Sequence, residues 1–230
     1  MAVIALLGGS YNPITEAHLK GAQVAKEAIG CDRMRLLFSE NPLKDPKDYA
    51  PLFDRLKMAE IRLSFHPEYD FDLADEEDRL GTHITYEVLS ALKGENPGDT
   101  FAWVMGSDNF VKFEHWHNQE ELLEQFPIIV VPRECRPEEV AKMKEFELTW
   151  AHRRRSSVAE ALEKGGWFML DAPVIPGSST EFRADLKAGA TFGNPADQAV
   201  ADYARGKRLF GTAPLAPRPA ADTRPGIQPV

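Results

Sequence analysis

Met1-Ala2-Val3-Ile4-Ala5-Leu6-Leu7-Gly8-Gly9-Ser10-Tyr11-Asn12-Pro13-Ile14-Thr15-Glu16-Ala17-His18-Leu19 opens the chain, and its reading decides the fold. Ala2–Leu7 is a short apolar run without a basic leader, which predicts a first strand and not a secretion signal. The paired glycines that follow let the backbone turn sharply and approach a ligand with no Cβ in the way. Glu16–Ile29 then has helical spacing, and a helix start offers unpaired N–H groups and a positive dipole end that suit a phosphate. Thr15 and His18, three apart, share a face once the first turn forms. The segment is neither GxGxxG nor GxxxxGK[ST]. Taken alone it reads equally well as a tight turn leading into a helix with an exposed histidine.

Downstream, short apolar runs alternate with amphipathic stretches, the pattern of strands crossing over through helices into a parallel sheet. Strands are expected at Met34–Phe38, Tyr69–Leu73, Phe101–Met105, Ile128–Val131 and Trp167–Leu170. Helices are expected at Pro51–Phe65, Thr85–Leu92, Pro137–Phe146 and Ser156–Lys164. In the first of these helices Leu52, Leu56, Ala59 and Leu63 mark one buried face. Asn194-Pro195 places a capping residue before a first-turn proline and predicts a closing helix over Pro195–Arg205. The expectation is an α/β protein with a doubly wound parallel sheet of the Rossmann-like kind. Residues 1–210 form its single domain, and a Pro- and Ala-rich tail, 211–230, is expected to be disordered. With strand order 3-2-1-4-5, the glycine turns Gly8-Gly9 and Gly106 end neighbouring strands at the switch point, where ligands bind such sheets.

The 230 residues carry 27 Lys plus Arg against 36 Asp plus Glu, a formal charge of −9. That balance argues against broad nucleic-acid or anionic-membrane binding, which needs a basic surface. No apolar run reaches the length of a membrane-spanning helix. Cys31 and Cys135 form no CxxC pair and suit a reducing compartment, so a cytoplasmic location is expected. A homo-oligomer stays open.

A second segment, Gly177-Ser178-Ser179-Thr180-Glu181-Phe182-Arg183, gathers three hydroxyls and an arginine at a helix start. It can hold a polyphosphate through hydroxyls, N–H groups and a forked guanidinium. Ser178 with Glu181 is also a capping box, and a capped helix start is still an anion site.

Together the two segments resemble the nicotinate/nicotinamide mononucleotide adenylyltransferases, bacterial type, of the nucleotidyltransferase superfamily. Their motifs run close to GG-S-F-x-P-(H/T)-x-x-H and S-S-T-x-x-R, against G-G-S-Y-N-P-I-T-E-A-H and S-S-T-E-F-R here. Asn41-Pro42-Leu43-Lys44 with Arg55-Leu56, Thr85 with Leu89 and Leu92, Gly106-Ser107-Asp108-Asn109 with Phe113 and Trp116, and Pro132-Arg133 are similar too. Thr15 and Ala17 replace a histidine and a glycine that many bacterial members carry, and Gly177 stands where an apolar residue often does.

The resemblance implies transfer of AMP from ATP to nicotinate mononucleotide, giving deamido-NAD and pyrophosphate, with nicotinamide mononucleotide as the alternative acceptor. It implies catalytic roles for His18, Thr15 and Arg183, with His18 and the Thr15 hydroxyl at the α-phosphate. ATP would be bound by Gly8, Gly9, Ser10, Tyr11, Gly106, Asp108, Ser178, Ser179 and Thr180. The mononucleotide would meet Lys44, Thr85, Trp116 and Arg133, and Mg²⁺ would accompany ATP, held by phosphates and water with no protein metal ligand. Another nucleotidyltransferase, such as a pantetheine-phosphate adenylyltransferase, fits the Asn41–Lys44 and Gly106–Trp116 stretches less well. A non-catalytic nucleotide-binding module is disfavoured by His18, Lys44 and Arg183, and an NAD-dependent oxidoreductase by the missing GxGxxG. His115 and His117 flank Trp116 without a third ligand for zinc. Arg153-Arg154-Arg155 reads as a solvated basic stretch, and His66, His83 and His152 have no evident partner.

Overall fold

The computed structural model describes residues 1–39 and 49–212. The strands are β1 (Val3–Gly9), β2 (Arg33–Phe38), β3 (Phe71–Ala74), β4 (Thr100–Gly106), β5 (Pro127–Val131) and β6 (Gly166–Met169). All pair in parallel in the order β3-β2-β1-β4-β5-β6. The order reverses between β1 and β4, as the sequence led one to expect, and their glycine-bearing ends face the same edge of the sheet.

Period-two alternation divides the core. Ala5 and Leu7 of β1, Ala102 and Val104 of β4, and Ile129 and Val131 of β5 pack on one face, with α1 (Glu16–Ile29), α2 (Leu52–Leu63) and α8 (Val158–Lys164). Ile4, Leu6, Phe101, Trp103, Met105, Ile128 and Val130 pack on the other. There they meet α4 (Thr85–Glu95), α5 (Ser107–Phe110), α6 (Gln119–Gln125) and α7 (Pro137–Thr149). Strands apolar on both faces are what a parallel sheet covered on both sides requires. Each wholly buried leucine or isoleucine contributes about 1.5–3 kcal/mol.

Helix limits follow from caps. Thr15 stands in extended backbone before α1, and Gly30 ends it in the left-handed region, its N–H donating to Lys26 O at 2.9 Å. Ser178 caps α9 (Ser179–Lys187) through a reciprocal box with Glu181. Asn194 Oδ1 accepts from the N–H groups of Ala196 and Asp197 at 2.8 and 3.3 Å, with Pro195 first in α10 (Pro195–Gly206).

Helix α2 departs from the single buried face expected of it. Leu52, Leu56 and Leu63 are only half-buried against the sheet layer, while Arg55, Met58, Ala59 and Arg62 are fully enclosed. The reason is a second, smaller core on the outer side of α2, where Met58 meets Phe182 and Leu186 of α9 and Val200, Ala201 and Ala204 of α10. A short acidic helix, α3 (Glu76–Leu80), was not anticipated. The chain stays packed through Phe210 and Thr212. The rest of the expected tail, 213–230, lies outside the described residues, as does Lys44 with its Asn-Pro-Leu-Lys stretch.

Candidate active site

Two clefts open side by side beyond the carboxyl ends of β1 and β4. The smaller, of about 330 Å³, is lined by Gly106, Asp108, His18 and Arg133, with Ser178, Ser179, Thr180 and Arg183 on its far wall. The larger, of about 470 Å³, is lined by Thr85, Trp103, Trp116, Glu77 and His83, with His115 and His117 at its rim. Gly8, Gly9, Ser10, Asn109 and Lys112 border both, so one stretch of backbone is the common floor.

At two points beside these clefts the chain has to be glycine. A Cβ at Gly8 would lie 2.2 Å from the Trp103 ring, and one at Gly106 would lie 2.3 Å from Asp108 Oδ1 and 2.7 Å from Arg133 Cγ. Trp103 in turn meets Trp116 edge-on, with ring centroids 6.1 Å apart. The larger cleft therefore has an aromatic wall whose position depends on the absence of a side chain at Gly8.

His18 is oriented from behind. Its Nδ1 accepts the Thr15 backbone N–H at 3.0 Å and lies 2.7 Å from the Thr15 hydroxyl. A ring nitrogen that accepts an N–H carries no proton, so the imidazole is the neutral tautomer with its hydrogen on Nε2. The electrostatics agree: burial first, then the charges of Arg133 and Arg62, push His18 from 6.5 down to about 3. Tyr11 packs its ring edge-on against the imidazole, with centroids 5.2 Å apart.

Two residues expected at the ligand have their side chains enclosed by this packing. Tyr11 is buried, and its hydroxyl donates to Leu7 O at 2.5 Å, so its side chain supports the loop and faces neither cleft. Thr15 is buried too, with its hydroxyl engaged by the His18 ring.

The hydroxyls at the start of α9 are also partly committed. Ser178 Oγ exchanges hydrogen bonds with Glu181, and Ser179 Oγ donates to Pro13 O at 2.8 Å. Thr180 Oγ1 accepts from Arg183 Nη2 at 3.3 Å and keeps its proton. The N–H groups of Ser179 and Thr180, in the first helical turn, have no carbonyl one turn back to bind. Arg133, expected to meet the mononucleotide with Thr85 and Trp116, donates to Gly177 O at 2.7 Å and stands in the smaller cleft beside these residues, apart from Thr85 and Trp116. The wall is thus locally cationic although the chain is acidic overall.

A family profile for cytidylyltransferase-like proteins matches residues 6–185, both motif segments included. The chain belongs to the cytidylyltransferase-like family. Within this family of nucleotidyltransferase enzymes it is similar to proteins named probable nicotinate-nucleotide adenylyltransferase. One from Cereibacter sphaeroides is 35% identical over 191 residues, 79% of this chain and 96% of that protein. Another, from Parvibaculum lavamentivorans, is 38% identical over 131 residues, 56% of this chain and 64% of that one. In fold, the chain is similar to Plasmodium falciparum nicotinic acid mononucleotide adenylyltransferase, solved in complex with APC. The TM-score is 0.68 at 18% identity, over 93% of this chain and 99% of that one.

Sequence reasoning missed several cytidylyltransferase-like site neighbours. Asn109 and Lys112 border both clefts, and Glu77, wholly buried, faces His83 across 3.3 Å in the larger one. His66 stands between Glu16 and Glu68, 3.0 Å from each, and His152 stacks on Trp150. The arginine run is structural in part: Arg154 lies over the Trp167 ring and Arg155 Nε donates to Gly165 O at 2.7 Å. Among the described residues no three His, Cys, Asp or Glu side chains gather to hold a metal ion, and no helix is long and apolar enough to cross a membrane.

Proposed function

We propose that this enzyme transfers the adenylyl group of ATP to nicotinate mononucleotide, forming deamido-NAD and releasing pyrophosphate. The observation that carries the reading is the neutral His18, presenting Nε2–H in a cationic cleft that shares its floor with an aromatic-walled second cleft. The choice of nicotinate mononucleotide as acceptor is supported by the names of the similar proteins.

In this reading ATP lies in the smaller cleft, its β- and γ-phosphates held by Arg133, Arg183, Thr180 and the first N–H groups of α9. The α-phosphate sits over Gly8–Ser10 within reach of His18 Nε2. The mononucleotide enters the larger cleft, its ring against Trp116 with Thr85 at the polar edge. A 5′-phosphate oxygen of the acceptor attacks the α-phosphorus, a new P–O bond forms, and the bond to the α,β-bridging oxygen breaks to release pyrophosphate. No protein nucleophile or base is needed. Alignment and charge neutralisation carry the rate, and His18 donates to the oxygen where negative charge builds.

Asp108 is the one carboxylate lining the smaller cleft among the described residues, a donor set that fits a divalent ion held chiefly by phosphate oxygens and water. Mg²⁺ bound there with ATP would neutralise part of the triphosphate charge. The two free cysteines and the soluble substrates suit a cytoplasmic setting.

Pyrophosphate release is the test, run with ATP, Mg²⁺ and either nicotinate or nicotinamide mononucleotide, with His18→Ala as control. Turnover favouring nicotinate mononucleotide and collapsing in the variant is expected. A preference for the amide would reassign the acceptor. No turnover with either acceptor in a folded, ATP-binding protein would sink the reading.

A further inference from the structure

The loop between β1 and α1 is gripped from below. Ser10 O accepts from Arg55 Nη1 at 2.8 Å, Asn12 O from Arg183 Nη1 at 2.7 Å, Pro13 O from Ser179 Oγ at 2.8 Å, and Ile14 O from Arg62 Nε at 3.1 Å. Four carbonyls of a five-residue stretch are thus drawn toward α2 and α9. A carbonyl oxygen facing a polyphosphate repels it, so turning these oxygens into the protein leaves the cleft to N–H groups and cations.

Two of those donors, Arg55 and Arg62, are on α2, seven residues apart, and both are wholly buried. Neither lines a cleft, so neither serves as a phosphate ligand. A buried guanidinium has to be compensated. For Arg62 the compensation comes from outside the loop: Nη2 pairs with the carboxylate of Asp197, in the first turn of α10. The guanidinium also faces the Phe182 ring of α9, 6.0 Å from its centroid, and Nη1 meets no hydrogen-bond partner among the described residues. Asp197 lies beyond residue 185, where the match to the cytidylyltransferase-like family ends.

We propose that Arg62, neutralised by Asp197 of α10, is a positioning residue that holds the Ile14–Thr15 turn and through it the orientation of His18. The closing helix is then part of the transfer machinery, although it touches neither substrate. The chain of contacts is continuous: Asp197 fixes Arg62, Arg62 holds Ile14 O, and the next residue, Thr15, gives its N–H to His18 Nδ1. The inference rests on the adenylyl-transfer reading for its rate effect, and on the fold alone for its effect on the imidazole.

A merely architectural ion pair predicts something different. Replacing a buried pair by apolar residues of similar volume is often neutral or stabilising. The Arg62→Leu/Asp197→Leu double variant is therefore compared with Asp197→Asn and with wild type, reading Tm, kcat and KM for both substrates, and the ¹⁵N signals of His18. Asp197→Asn should lower Tm. The double variant should regain Tm but keep a kcat reduced by about tenfold to a hundredfold, the cost of a small misplacement of a catalytic group. The free-enzyme ¹⁵N spectrum should show that His18 has lost its single Nε2–H tautomer. Arg62→Lys, which keeps the charge and loses the fork, covers the case of a double variant that does not fold; it should lower kcat with little change in either KM. Recovery of kcat together with Tm, or an unchanged His18 spectrum in Arg62→Lys, would overturn the proposal. The nitrogen spectrum needs no substrate, so a failure of the reaction assignment leaves it readable.

Discussion

His18 Nδ1 receives the backbone N–H of Thr15, three residues before it, at 3.0 Å. The bond lies within the first turn of α1, so the turn that begins the helix also sets the tautomer of the imidazole it carries.

This fixes a pH dependence. His18 has its ordinary value of 6.5 in the unfolded chain and about 3 in the folded protein. Between those values the unfolded chain binds the proton and the native state does not. The contribution of His18 to stability is complete above 6.5 and is lost as pH falls toward 3. Between pH 6 and 8 kcat should show no inflection from His18. Nitrogen NMR across pH 4–8 is the check, and a His18 midpoint near 6.5 would contradict the buried tautomer.

Which nitrogen acts is open to a swap. Gln places an amide N–H near the position of Nε2, whereas Ala places nothing. His18→Gln should retain activity measurably above His18→Ala, both with ATP KM near wild type. Equal loss in the two variants would mean that the donor is not what the imidazole supplies.

Arg133 stands in the cleft assigned to ATP. A charge-assisted hydrogen bond contributes about 1.5–3 kcal/mol, so Arg133→Ala should raise the KM for ATP about tenfold to a hundredfold and leave that of the mononucleotide nearly unchanged. Steady-state kinetics with each substrate varied decides it, and the reverse pattern would restore the sequence-based placement.

Trp116 lines the larger cleft, where the proposed reading sets the pyridine ring against it. Stacking of a ring on an aromatic side chain is worth about 1–3 kcal/mol. Trp116→Ala should raise the mononucleotide KM by about fivefold to a hundredfold, with Trp116→Phe intermediate and ATP binding intact. Calorimetry with each substrate separates the two effects.

Gly8→Ala would bring a methyl 2.2 Å from the Trp103 ring. The ring has to move, and overpacking of this kind costs about 1–3 kcal/mol. A lowered Tm with a mononucleotide KM raised more than that of ATP is the expected pair of results; an unperturbed variant would show that the aromatic wall adjusts freely.

The framework was legible because its signals are local. Gly30 and Thr15 bracket α1 at the expected limits, and alternating apolar residues gave β1 and β4 their two faces. Most of the residues that the family resemblance implied for the site also line the two clefts. What stayed hidden depends on tertiary contact. Arg55 and Arg62 look like solvent-facing residues of an amphipathic helix until α9 and α10 close over them. Tyr11 looks like a ligand contact until the turn folds its ring beneath Gly9. Helix α3 has the sequence Glu-Glu-Asp-Arg-Leu, too short and polar for any apolar stripe.

The shared floor at Gly8–Ser10 also bears on how the reaction ends. Pyrophosphate can keep only the grips of the smaller cleft, whereas the newly joined dinucleotide keeps contacts in both. Pyrophosphate should leave first and the dinucleotide last. The dinucleotide should then inhibit competitively against either substrate, because a molecule lying across the floor blocks both doors.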